Sequence, residues 1–169
     1  MEDDFKIVVL KAGEMRARRM KTGTPLPKAL ACGMLEDSGR VLFLLRKDEH
    51  GTERIEMPCV LVPSGRSPVA DIRAEFARQT GIDGEVHEIA IDGRHNAGTR
   101  RRRAWVPALV FKITAKQRSA KPSHEFSGFR WLPLDDAKKQ KLSRNGEWLR
   151  NAAPGTRGPE ATGAPRAKV

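Results

Sequence analysis

The stretch "SPVADIRAEFARQTGI", residues 67–82, constrains the fold most, because its apolar spacing differs from that of the runs before and after it. Val69, Ile72 and Phe76 recur at intervals of three and four, the period of a helix with one buried face. Ser67 followed by Pro68 supplies an N-cap and a first-turn proline, and Gly81 is free to take the left-handed conformation that ends a helix. A helix is therefore predicted over 67–80. Upstream, "ALACGML" and "RVLFLLR" flank Glu36, Asp37, Ser38 and Gly39, the pattern of a β-hairpin whose strands are covered on both faces. Downstream, "EVHEIAI", "AWVPALVFKI" and "GFRWLPL" read as strands, with a polar stretch from Asp92 to Arg103 between the first two. Pro107 marks an edge or a bulge. Residues 135–150 read as one or two short helices with Leu142, Trp148 and Leu149 turned inward. Strands on both sides of one mid-chain helix make a mixed α/β or α+β sheet domain.

A chain of 169 residues, 38% of them hydrophobic, is sized for a single core. Residues 1–27 are expected to hold a strand around Phe5 to Leu10 and a basic extension ending in the connector "TGTPLPK". The domain proper then spans 28–150. From Asn151 the sequence turns to Ala, Pro, Gly and polar residues without apolar period, so 151–169 is expected to be a disordered tail. The apolar run Ile7 to Leu10 is too short for a signal or a membrane span. Cys32 and Cys59 fit no zinc spacing and read as buried thiols of a reducing compartment. The expectation is a soluble, cytoplasmic protein with no membrane partner. His50, His87, His95 and His124 show no ligand spacing and read as surface or hydrogen-bonded residues, and Trp131 as a packing anchor at a sheet edge.

The formal net charge is +11, and it is clustered. Arg16, Arg18, Arg19 and Lys21 lie near the start, Arg94 and Arg100 to Arg103 form a second group, and a Lys-rich segment runs from Lys138 to Arg144. Arg100, Arg101, Arg102 and Arg103 repel one another unless solvent or a polyanion neutralises them, so a solvated loop and a contact for RNA or polyphosphate stand side by side. The absence of Tyr argues against an extended base-stacking platform.

On the predicted helix, Asp71, Glu75, Arg78 and Gln79 fall on one face, opposite Ile72 and Phe76. Two carboxylates a turn apart can seat a divalent cation or form part of a solvated charge ladder. The wider order of residues narrows the choice. "MPCVLVPSGRSPVADIRAEFARQTGI", preceded by "GMLEDSGRVLFLLRK" and followed by "HEFSGFRWLPLDD", resembles a Nudix hydrolase domain over about residues 28–150. The family signature is G-x5-E-x7-R-E-U-x-E-E-x-G-U, with U a bulky apolar residue. Placing its last glycine on Gly81 sets Ile82 and Phe76 on apolar positions and Glu75 on the glutamate after the motif arginine. Val60 then stands for the first glycine, Arg66 for the loop glutamate, Ala74 for the arginine, and Arg78 and Gln79 for the paired glutamates.

The resemblance implies a Nudix-type α/β/α sandwich with a mixed sheet, and a family reaction in which magnesium (Mg2+) bridges a diphosphate and activates water. It implies Glu75 and Glu125 as the retained catalytic carboxylates, Glu125 by its place in "SHEFSGFRW". A weakened or absent metal site would draw on Glu75, Asp71 and Gln79, since a guanidinium at Arg78 offers no lone pair. Mg2+ is then the cofactor if hydrolysis persists, and none is needed otherwise. The expected function is binding of a phosphate-rich ligand, a nucleotide or nucleoside diphosphate derivative or RNA, with pyrophosphohydrolase activity impaired or lost. Arg78 would pair with Glu75 as a tethered cation and, with Arg66 and the Arg100 to Arg103 cluster, hold phosphate. The alternatives are an active hydrolase using Glu75, Asp71 and Glu125, and an interaction module for an acidic protein.

Overall fold

The computed structural model describes residues 26–154, so the expected strand at Phe5 to Leu10 and nearly all of the expected tail lie outside the described residues. Strand β1 (Pro27–Asp37) and strand β2 (Arg40–Lys47) are joined by a two-residue turn. Ser38 and Gly39 both have positive φ, 52° and 78°, which is the backbone a tight hairpin requires and the reason a glycine stands there. Strands β3 (Glu53–Glu56) and β4 (Cys59–Pro63) follow, then helix α1 (Pro68–Thr80), strands β5 (Glu85–Asn96), β6 (Trp105–Thr114) and β7 (Gly128–Leu132), the short helix α2 (Leu134–Ala137), a 3-10 helix (Glu147–Asn151) and strand β8 (Ala153–Pro154).

β1 is the axis of the mixed sheet. It runs parallel to β6, from Leu30 opposite Ala108 to Leu35 opposite Ile113, and antiparallel to β4, with Cys32 opposite Cys59. β6 pairs with β5, and β5 with β8, while β2 continues from the hairpin to pair with β3 and β7. Alternation along β1 divides the core. Ala31 and Leu35 pack with Ile72 or Phe76 of α1, whereas Leu30, Cys32 and Met34 pack with Leu142, Trp148 and Leu149. The fold is therefore α/β, a mixed sheet with helical segments on both faces. The second helical layer is reduced to α2 and the 3-10 helix. Between them Ile55 accepts from Ser143 N and donates to Lys141 O, so this stretch spends its hydrogen bonds on β3 instead of on a helical turn.

The predicted helix is present with its caps: the Ser67 hydroxyl accepts from Ala70 N at 3.3 Å, and Gly81 takes φ 71°. Its inward stripe is Ile72 and Phe76, while Val69, expected inside, is 44% exposed. Four further expectations are met in position. Leu142, Trp148 and Leu149 are buried, Trp131 packs on the Leu42 and Phe76 cluster from β7, Pro107 lies where β6, among the described residues, pairs with β5 alone, and Cys32 and Cys59 are buried free thiols. Two boundaries move. β5 continues through Arg94 to Asn96, because Ile91 and His95 alternate inward while Asp92 and Arg94 point out. The chain also stays paired past Asn151, since β8 bonds to Ile91 and Asp92 through its backbone and needs no apolar pattern to do so.

Phe76 presses on β1 at Gly33, where an added Cβ would lie 2.6 Å from Phe76 Cδ2. Gly33→Ala is expected to lower the unfolding midpoint in urea, at a cost of about 1–3 kcal/mol from overpacking. Phe76→Leu in the same chain should recover part of the loss; an unchanged midpoint in Gly33→Ala would refute the close approach.

Candidate functional site

α1 presents a polar edge beside the end of β4 and the segment before β7. Because Phe76 and Ile72 dock on the sheet, Glu75, one position before Phe76, and Arg78 and Gln79, two and three after it, are turned toward Cys59 and Glu125. The Arg78 guanidinium is the centre of this cluster. Its Nε donates to Glu75 Oε1 at 2.7 Å, and its Nη2 donates to Glu75 Oε2 at 3.0 Å and to Glu125 Oε1 at 2.7 Å. Gln79 Nε2 donates to Glu75 Oε2 and to the Cys59 carbonyl, both at 2.8 Å. The amide is fixed in this sense, since turning it over would set its oxygen against a carboxylate and a carbonyl.

The electrostatics follow from these contacts. The Arg78 hydrogen bond draws Glu125 down to about 2 and holds Glu75 below the usual carboxylate range, with Gln79 adding to the effect on Glu75. Arg78 itself is pushed up by Glu75 first and Glu125 second. Both carboxylates are therefore charged at neutral pH, and the Glu75, Arg78 and Glu125 trio carries a net negative charge. Arg66 and Asp71 form a separate pair: Arg66 Nη2 lies 2.7 Å from Asp71 Oδ1, and its Nε bonds both carboxylate oxygens at 3.0 Å. Asp71 is held below its usual range by that guanidinium.

The expected residues are thus brought together only in part. Glu75, Arg78, Gln79 and Glu125 share one hydrogen-bonded cluster, and the expected pairing of Arg78 with Glu75 is present. Asp71 and Arg66 bond each other and, among the described residues, have no hydrogen bond to that cluster. Gln79, expected to offer an oxygen to a metal, instead turns its nitrogen inward. Arg100 to Arg103 lie apart, on the β5–β6 turn, which is tied by Asn96 Oδ1 accepting from Gly98 N and Ala104 N and by Thr99 bonding Arg102.

The donor set does not suit magnesium. Glu75 and one oxygen of Glu125 are taken by a fixed cation, and the Cys59 carbonyl by an amide. Glu125 Oε2 is buried without a hydrogen-bond partner, but one oxygen falls far short of a near-octahedral oxygen shell. Among the described residues no group of three or more His, Cys, Asp or Glu side chains is placed to hold a metal ion. Cys59 adds no thiolate, because the neighbouring Cys32 thiol and burial push it up.

Some residues escape a reading of the sequence. Glu56 is 2% exposed, pairs with Arg46 at 2.5 Å and lies 3.7 Å from Cys59 Sγ, yet nothing in "ERIEMPC" marks it as an interior acid. His95, expected at the surface or hydrogen-bonded, is 4% exposed and has no side-chain hydrogen bond among the described residues. Its alternation with Ile91 was the signal that could have found it. Trp105, Arg94 and Arg144 join it around a cavity at the β5–β6 end of the sheet.

No model of a protein family matches the sequence, and neither does any curated protein. Solved structures do match. A MutT protein from Methanosarcina mazei Go1 superposes with a TM-score of 0.57 at 20% identity, over 76% of this chain and 90% of that one. The dihydroneopterin triphosphate pyrophosphohydrolase of E. coli gives 0.55 at 16% identity, over 76% and 97%. The Nudix domain of Shewanella oneidensis NrtR, in its cocrystal with ADP ribose, gives 0.52 at 15% identity, over 80% and 94%. At these identities the likeness defines the fold, which is that of the Nudix hydrolases.

The depressed carboxylates yield a sign. A folded-state value below the unfolded one stabilises fully above the ordinary 4.5 of Glu125, and that stabilisation is lost as the pH falls toward about 2. Carboxyl-resolved NMR titration should find Glu125 near the lower value, and Arg78→Gln should return it toward the ordinary one. An unmoved Glu125 in that variant would rule out Arg78 as the cause.

Proposed function

We propose that this chain, which has the Nudix fold, binds a nucleotide derivative through its phosphate groups, with magnesium-dependent pyrophosphohydrolase activity impaired or lost. The observation that carries the proposal is the Arg78 guanidinium seated between Glu75 and Glu125. A guanidinium has no lone pair, stays charged at any accessible pH and is held here by charge-assisted bonds to both acids. A divalent ion would have to break those bonds, shed tightly held water and approach a resident cation. Diphosphate hydrolysis by metal ions needs positive charge on both the attacking and the leaving oxygens. Arg78 is fixed and half exposed, and its charge is already answered by two carboxylates.

The ligand class is supported from two sides. One solved Nudix domain of similar fold is complexed with ADP ribose, and another similar structure is a pyrophosphohydrolase of a pterin triphosphate. The chain also carries a net +11, much of it on arginines that have no carboxylate partner among the described residues, Arg94 and Arg100 to Arg103 included. The acidic Glu75 and Glu125 cluster repels phosphate, and Arg66 is answered by Asp71, so these free arginines are the better candidates for holding an anion.

A panel of nucleoside diphosphates, triphosphates and ADP ribose incubated with Mg2+ or Mn2+ should release no phosphate, pyrophosphate or mononucleotide above background. Release that disappears in Glu75→Gln and Glu125→Gln would establish a working hydrolase instead. As the converse, the double substitution Arg78→Glu and Gln79→Glu should gain Mn2+ binding, read by electron paramagnetic resonance, that the parent chain lacks.

A further inference from the structure

We infer that Cys32 and Cys59 form a modification site, a cross-strand dithiol that a peroxide converts to a disulfide joining β1 to β4. The inference does not depend on the nucleotide reading above. The two residues lie directly opposite each other in the antiparallel pairing of β1 with β4. At the next step of that register Gly33 N donates to Pro58 O at 2.9 Å, which makes 33 and 58 a hydrogen-bonded pair and, by alternation, 32 and 59 a non-hydrogen-bonded one. Pairs of that class are the closer kind, with Cα atoms about 4.5 Å apart, inside the span of about 4.4–6.8 Å that a disulfide bridges. Both side chains belong to one core cluster, on the face of the sheet away from α1, so the two sulfurs leave the sheet on the same side.

The surroundings give the pair an entry and an outlet for protons. β4 is five residues long and, among the described residues, pairs with β1 alone, and a short strand with one partner opens locally more readily than one held on both edges. Cys59, its first residue, is 7% exposed against 1% for Cys32, so a molecule little larger than water meets Cys59 first. Glu56 Oε2 accepts from Cys59 Sγ at 3.7 Å, while Glu56 Oε1 is held by Arg46. A buried acid that the polar edge of α1 does not use thus stands ready to take the thiol proton.

The reaction is a two-electron oxidation. Cys59 sulfur attacks one oxygen of the peroxide, the O–O bond breaks, and the departing hydroxide leaves as water with the proton that the thiol gave up, which leaves a sulfenic acid. Cys32 sulfur then attacks the Cys59 sulfur; the S–S bond forms as the S–O bond breaks, and a second water carries away the Cys32 proton. The neighbouring Cys32 thiol and burial hold Cys59 protonated, so the first step is slow compared with that of an exposed thiol. The second step joins neighbours and needs no encounter. Disulfide accumulates in place of sulfenic acid.

The bridge would act at the root of the polar edge, because the Cys59 carbonyl accepts from Gln79 Nε2, which also holds Glu75. It would also close the β1–β2 hairpin and β3 into a loop, which restricts the unfolded chain.

The test treats the folded, fully reduced chain with hydrogen peroxide, removes the peroxide with catalase, blocks remaining thiols with iodoacetamide and digests with trypsin. Cleavage after Lys28, Arg40, Arg54 and Arg66 puts Cys32 in peptide 29–40 and Cys59 in peptide 55–66. The two peptides should appear as one linked species, without alkylated cysteine, that dithiothreitol separates. The urea midpoint of the oxidised chain should rise and return on reduction. Cys32→Ala, which lacks the second thiol, should be captured by dimedone at Cys59 with far-UV circular dichroism unchanged; should that variant fail to fold, the mapping of the parent chain decides alone. Two cysteines still alkylated after peroxide that oxidises free cysteine to completion would overturn the proposal. So would a disulfide between two chains, or a link that forms only in urea.

Discussion

The contact of Phe76 with Gly33 sets the position of everything that carries chemistry on α1. A helix has only a few ways to lie on a sheet, and a ring filling the gap left by a missing Cβ selects one of them. With Phe76 and Ile72 facing β1, β4 and β6, the residues beside them have no freedom in direction. Glu75 and Gln79 must meet the Cys59 end of β4, and Arg78 must meet Glu125 before β7. The cap at Ser67 and the left-handed turn at Gly81 fix the two ends of the same rod. The geometry of the polar edge is thus a consequence of apolar packing a single residue away.

What that edge can do is decided by two side chains. Glutamates at positions 78 and 79 would add two negative charges and leave the cluster dependent on mobile cations for neutrality. Arg78 and Gln79 supply nitrogen donors at the same places, and these bond the oxygens that would otherwise seek an ion. Neutralisation becomes internal and partial, one guanidinium answering two carboxylates. A magnesium ion can exchange water for substrate oxygens and a guanidinium cannot, and this edge presents nitrogen donors where a magnesium ion would need oxygen ligands. A fold does not by itself specify the chemistry carried on it, which depends on individual side chains.

The helix, its caps, the hairpin and the inward turn of Leu142, Trp148 and Leu149 were legible in the sequence because each is written in local terms: a period, a cap, a pair of turn residues. The pairing of Arg78 with Glu75 was legible for the same reason, being one helical turn. Resemblance marked Glu125 as a catalytic carboxylate but not as the second partner of Arg78, since the two residues meet only when β7 pairs with β2. The burial of Glu56 and His95 and the mutual bonding of Arg66 and Asp71 were not legible as such. A polar residue in a strand carries no mark of whether its face is covered, and an arginine carries none of which acid it will find. The reach of β5 to Asn96 was lost for a related reason, because its outward Asp92 and Arg94 make the end of the strand look like a loop.

The distribution of charge distinguishes the helix edge from the β5–β6 end of the sheet. Arg78 and Arg66 account for part of the basic excess, but each is bonded to acids within 3.0 Å, and the trio around Arg78 is negative as a whole. The field that an approaching anion meets is set instead by arginines without carboxylate partners among the described residues, of which Arg94, Arg100 to Arg103 and Arg144 lie around the β5–β6 turn and Arg40 and Arg73 lie elsewhere. Long-range attraction follows unneutralised charge, not the count of basic residues. The densest unpaired positive charge among the described residues therefore stands at the end of the sheet that holds Arg94, Arg100 to Arg103 and Arg144. The arginine on α1 acts locally, as the internal counterion of two carboxylates.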